Sequence, residues 1–172
     1  MATFFIYLQQ TGRNEEIEMK DELVSSRRGG WCYYGIHTAQ NPVFKETDNI
    51  GKFMTFGKGD FPNEMQELIL KAIKQGITPL IKHTDLDALD FNPRSKDGSW
   101  VIIWYSTDEE KALKSLARFL IGHGFVAKTK SGKYYNISFK YDEQTRNGEY
   151  GEQFKSSIRL ADLIDLNTGE CY

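Results

Sequence analysis

The sequence predicts an α+β protein: a curved, mostly antiparallel sheet with two to three helices packed on one face. Three features carry this. Two segments repeat apolar residues at the helical period, several others have strand composition, and two strands follow each other with no helix between them. That order makes the sheet antiparallel or mixed rather than doubly wound. Helices gathered on one side leave the other face open for a ligand.

TFFIYLQQ (3–10) reads as a strand and RNEEIEMKDELV (13–24) as a weaker helix with Asn14 as a cap. GKFMTF (51–56) is a short strand. PNEMQELILKAIKQ (62–75) is the best helix, because Met65, Leu68, Ile69, Ala72 and Ile73 form one apolar stripe. Pro62 suits its first turn and Gly76 its end. ITPLIKHT (77–84) reads as a strand in which Pro79 favours an edge or a start. LDALDFNPRSKDG (86–98) is a polar connector, and SWVIIWYS (99–106) is the strongest strand, covered on both faces. Thr107 and Glu110 form a capping box for a helix over 108–121, buried through Leu113, Leu116, Ala117, Leu120 and Ile121. YYNISFKY (134–141) alternates, with Tyr135, Ile137 and Phe139 on one face. YDEQTRNGEYGEQ (141–153) is a long polar loop, and SSIRLADLIDL (156–166) a strand leading into a short helix.

The chain has 172 residues, enough for one domain over 1–172. Apolar residues make up 40% and charged residues 27%, a globular composition. No apolar run is long enough for a membrane span, and the start carries no secretory signal. Cys32 and Cys171 form neither a disulfide framework nor a zinc motif, so a cytoplasmic location is expected. A net charge of −2 and a pI near 6.0 argue against a nucleic-acid coat protein, including a DNA coat, though not against a local basic pocket. Nothing in the sequence fixes an oligomeric state, and no cofactor is implied.

The chemistry is narrow. There is no phosphate-binding glycine loop, no nucleophile elbow and no zinc-protease motif. FGKGD (56–60) is a glycine turn ahead of a helix. His123 follows a helix and serves its last carbonyls. Lys82 and His83 are strand neighbours, so they point to opposite faces. Trp100, Ile102 and Trp104 share one strand face and read as core. The unusual stretch is RRGGWCYYGIHTAQNPVF (27–44), with Arg27, Arg28, Trp31 and His37 in a glycine-rich run that keeps no period for long. Trp31 is either a stacking platform for a base or ordinary packing, and His37 is the histidine best placed to meet a ligand.

The order from Gly51 onward resembles the cap-binding translation initiation factor fold. The residues that carry the likeness are GKFMTF, EMQELILKAIKQ, PLIKH, GSWVIIWYSTDEE with its helix ending LIGHG, and YNISFKYDEQTRNG. With FKYDEQTRNGEY (139–150), the chain more closely resembles the basophilic-leukaemia-expressed protein (Bles) family, which has that fold and some members of which are labelled phosphothreonine lyase. The resemblance implies that Phe44 occupies a stacking position and that Glu46, one residue later than the pattern, meets the base edge. It implies a phosphate contact at Lys82, with Lys128 or Lys130 as a second; Trp31 is merely near the other stacking position.

The expectation is therefore a non-enzymatic binding module for a nucleotide or single-stranded RNA on the concave sheet face. Trp31 and Phe44 would stack, Glu46 would accept from the base, and Arg27, Arg28 and Lys82 would meet phosphate. The alternatives are an enzyme on a phosphorylated group, with a lysine base and a histidine acid, and a protein-interaction domain using the same face.

Overall fold

The computed structural model describes residues 22–37, 49–61, 63–91 and 98–172. The expected strand at 3–10 and most of the expected helix at 13–24 lie outside these residues, as does most of the polar connector after Phe91. One sheet of seven antiparallel strands organises the described chain. The strands are β1 (Glu22–Arg28), β2 (Trp31–His37), β3 (Ile50–Lys58), β4 (Leu80–Thr84), β5 (Ser99–Thr107), β6 (Ser138–Tyr141) and β7 (Ile158–Arg159), in the order β1-β2-β4-β5-β3-β6-β7. Glu22–Val24, the end of the expected helix, are part of β1.

The described part of the glycine-rich stretch, residues 27–37, belongs to a hairpin. Arg28 pairs with Trp31 across a two-residue turn in which Gly29 and Gly30 have φ of 58° and 77°. Two left-handed residues in succession match the twist of the strands, and glycine takes that conformation without strain. The period looked irregular because the turn interrupts two short strands.

β4 and β5 pair antiparallel, as their direct succession requires. β4 begins immediately after Pro79, so it can sit inside the sheet between β2 and β5. β5, β-branched and aromatic, is buried on both faces, with Trp104 fully enclosed and Tyr105 only 7% exposed.

Helices α1 (Asn63–Lys74) and α2 (Glu110–Gly122) bury their apolar stripes against one face. There Ile69 and Ile73 of α1, and Leu116 and Leu120 of α2, meet Ile81, Ile102, Trp104 and Phe53 in one core. Gly76, at φ 65°, stops α1, and the N–H of Ile77 returns to the Ala72 carbonyl at 2.9 Å. Trp104 meets Phe125 edge-on at 4.6 Å and donates its indole N–H to Thr55 Oγ1 at 2.9 Å.

Three expectations need correction. The Thr107–Glu110 capping box is not formed: Thr107 stays in the ladder opposite Ile50, the helix starts after Glu109, and Glu110 pairs with Lys114 at 2.6 Å instead. The strand expected over 134–141 shortens to β6, and Tyr135 is 53% exposed, because β3 and β7 hold only residues 138–141. The polar loop after β6 contains a short helix, α3 (Asp142–Arg146), and a 3₁₀ turn at Gly151–Gln153. α3 does not join α1 and α2. Its Asp142 ion-pairs with Lys52, which shares a sheet face with Tyr105, opposite the core residue Phe53.

Candidate functional site

Strand alternation separates two sets of side chains. Cys32, Tyr34, Phe53, Ile81, His83, Ile102 and Trp104 point to the helices. Their neighbours Trp31, Tyr33, Lys52, Lys82, Ile103 and Tyr105 point the other way, on what is here termed the lysine face. The ladder lines these up: Tyr33 is opposite Lys82, Lys82 opposite Ile103, Tyr105 opposite Lys52, and Lys52 opposite Lys140. Three lysines from three strands thus lie on one surface.

Each is treated differently. Lys140 is buried and donates to the Glu149 carbonyl, with its ammonium 3.7 Å from the Tyr150 ring centre. Lys52 is buried and ion-paired with Asp142. Lys82 is half-buried. Its Nζ lies 4.6 Å from the ring centre of Trp31, 5.7 Å from Tyr33 and 5.8 Å from Tyr105. Among the described residues it makes no ion pair and no hydrogen bond. Burial, and then the neighbouring Lys52 charge, push the Lys82 amine below the ordinary lysine range, with Asp142 opposing. Burial and Asp142 push the Tyr105 hydroxyl up, so it stays protonated. Phe56, 71% exposed, adds another flat ring on the same face.

The arginines divide. Arg28 is in register with Trp31, on the lysine side. Arg27 is in register with Cys32 and turns to the helix side, where it binds Asp87 at 2.8 Å and approaches Asp85 at 3.5 Å. It is therefore not brought together with Lys82. Lys128 lies 4.6 Å from the Tyr134 ring, and no contact among the described residues brings it or Lys130 to Lys82. Phe44 and Glu46 lie outside the described residues. His37 closes β2 opposite Glu22, and its side chain is outside the described set.

The helix side of the same strands holds a polar chain of another kind. The Thr84 carbonyl can only accept, so His83 Nδ1 carries the hydrogen that reaches it at 2.8 Å. Nε2 then accepts from the Tyr34 hydroxyl at 3.4 Å, which accepts from Gln66 at 3.4 Å. His83 is stacked between Phe61, at 4.4 Å, and Tyr34, at 5.5 Å, and burial holds it below the ordinary histidine range. Burial and Asp85 push the adjacent Cys32 thiol up to about 11, so it is not an activated nucleophile. At the end of α2, His123 Nδ1 donates to the Phe119 carbonyl at 3.0 Å and its Nε2 accepts from the Lys71 ammonium at 3.1 Å. A shallow depression outside α1, lined by Glu67, Leu70, Lys71, Lys74 and Gln75, is also on this side.

Sequence reasoning did not single out Tyr33, Lys52 and Tyr105. The register supplies them, and only pairing the alternating residues of β2, β3 and β5 across the sheet would have found them. No family model, curated protein or solved structure matches the chain. Among the described residues no group of acidic, histidine and cysteine side chains is arranged to hold a metal, and no helix is long and apolar enough to cross a membrane.

Proposed function

We propose that this chain is a binding module for a nucleotide-like or RNA ligand, seated on the lysine face. One observation carries the reading: the Lys82 ammonium has three aromatic rings within 5.8 Å and, among the described residues, no anion or acceptor of its own. A half-buried cation without a counter-charge attracts one. The half-buried ring of Trp31 offers a face on which a base can stack, and Arg28 supplies a further cation at the same end of the sheet. In this reading Trp31 stacks, Lys82 and Arg28 meet phosphate, and Phe44 and Glu46 complete the base pocket. The resemblance to the cap-binding fold and the Bles family belongs to the same proposal and supplies the roles of Phe44 and Glu46.

The test is a tryptophan-fluorescence titration with nucleoside triphosphates and short single-stranded RNA. Binding should quench Trp31 and weaken with salt. Trp31→Ala should lower affinity about tenfold to a hundredfold, the cost of one base–aromatic stack. Lys82→Ala should lower affinity and flatten the salt dependence. Absence of saturable binding by the wild-type chain, or binding indifferent to both substitutions, rejects the reading.

A further inference from the structure

We propose that Lys82 is also a nucleophilic amine, positioned to form a reversible imine with a carbonyl compound that carries a planar ring and an anionic group. This uses the site proposed above but not its affinity for nucleotides.

The argument begins with what the amine lacks. Lys52 is engaged by Asp142 and Lys140 by the Glu149 carbonyl, whereas among the described residues the Lys82 nitrogen makes no hydrogen bond that would occupy its lone pair once deprotonated. Lys82 as a whole is half-buried rather than enclosed. Its surroundings are rings: Trp31, Tyr33 and Tyr105, with Ile103 opposite on β5. A lysine in a desolvated, ring-lined seat beside a second cation is a familiar way to make an amine nucleophilic near neutral pH. The charged and titratable groups facing it are Tyr33 on β2, Lys52 on β3, Tyr105 on β5 and Asp142 on α3. Lys52 and the loss of water favour the neutral amine; Asp142 and the Trp31 ring favour the ammonium. The direction of the balance is downward.

The step is a condensation with no redox change. The neutral Nζ attacks the carbonyl carbon and a C–N bond forms. The carbonyl oxygen leaves as water with the two amine hydrogens, and a C=N bond remains. The planar ring of the ligand would lie against Trp31 or Tyr33, and its anionic group would face Arg28. This fixes the ligand class: an aromatic aldehyde bearing phosphate or carboxylate.

The probe is pyridoxal 5′-phosphate, which joins a flat ring, an aldehyde and a phosphate; pyridoxal, without the phosphate, is the second arm. The full chain is incubated with each at pH 7, reduced with borohydride, digested and mapped by mass spectrometry. Each unit by which a lysine's pKa falls multiplies its neutral fraction about tenfold. Lys82 should therefore be labelled ahead of the exposed Lys71 and Lys74. The phosphate arm should exceed the pyridoxal arm. Lys82→Arg keeps the cation but cannot form the imine, so the peptide that carries residue 82 should lose the label. Lys82 labelled no faster than Lys74 in the wild-type chain overturns the imine proposal without touching nucleotide binding. Loss of nucleotide binding with labelling intact does the reverse. The wild-type map decides the matter even if a variant fails to fold.

Discussion

The two faces of the sheet are built from the same strands, and they solve opposite problems. On the helix face polar atoms are paired one by one: Trp104 with Thr55, and His83 with Thr84 and Tyr34. Among the described residues, Trp100 Nε1 is the buried exception. On the lysine face cations are held against rings, and one of them has neither anion nor acceptor among the described residues. Adjacent residues are split accordingly: Arg27 from Arg28, Cys32 from Trp31, His83 from Lys82. A run of sequence that looks like one cluster is two half-clusters on opposite sides. The helix face pairs its polar atoms within the core, and the lysine face gathers charge and aromatic surface.

The largest effect should come from the contrast between two tryptophans. Trp104 is fully buried, so Trp104→Ala should cost about 3–5 kcal/mol, and it also strands Thr55. Trp31 is half-buried, so Trp31→Ala should cost about 1 kcal/mol while it weakens nucleotide binding. Urea unfolding of both variants measures this. Equal losses would mean that Trp31 is packing and that the division between the faces is wrong.

The next effect concerns the lysine face alone. Asp142→Asn leaves the buried Lys52 charge without its carboxylate, and should destabilise by about 3 kcal/mol. Inorganic phosphate should restore more of the melting temperature to this variant than to the wild type, since an anion can then take the vacated place. A variant as stable as wild type would show that Lys52 is not held by this pair.

Much of this was legible beforehand, and the reasons are local. The stripes at 65–73 and 113–121 and the β-branched run at 99–106 declare themselves because burial on one face enforces a period. The antiparallel pairing of β4 with β5 follows from chain order. What was hidden depends on register. Tyr105 and Lys52 are 53 residues apart, and only the β3–β5 ladder makes them neighbours. Arg27 looked like a phosphate ligand because its partners Asp85 and Asp87 are about sixty residues away. The hairpin at Gly29–Gly30 did have a signal, two glycines between two strand-like runs, that outweighs the lack of a long period.

A smaller effect sharpens the split of the arginines. Arg27→Ala removes an exposed ion pair and the partner of the buried Asp85, and should cost about 1 kcal/mol. Arg28→Ala should leave stability within about 0.5 kcal/mol. The order should invert in the RNA titration, where only the Arg28 variant weakens binding. An Arg27 variant that binds less tightly than the Arg28 variant would contradict the register argument.

The smallest effect is a slope. His83 is buried with its folded-state pKa below the ordinary 6.5, and burial is the main cause. The unfolded chain therefore takes up a proton near pH 6.5 that the folded chain refuses. Stability contributed by neutral His83 is fully present above pH 6.5 and falls as pH drops toward the folded-state pKa; below that value both states are protonated and the loss stops. One proton cannot give more than about 1.4 kcal/mol per pH unit. His83→Phe keeps a ring between Phe61 and Tyr34 but cannot titrate. Urea unfolding of both proteins between pH 7 and pH 5 should show a steeper decline for the wild type, with the two curves separating below about pH 6.5. Carboxylates titrate alike in both and cancel in the difference. Parallel curves would mean that His83 is protonated as readily in the folded chain as in the unfolded one, and that the Gln66–Tyr34–His83 chain does not hold a neutral imidazole.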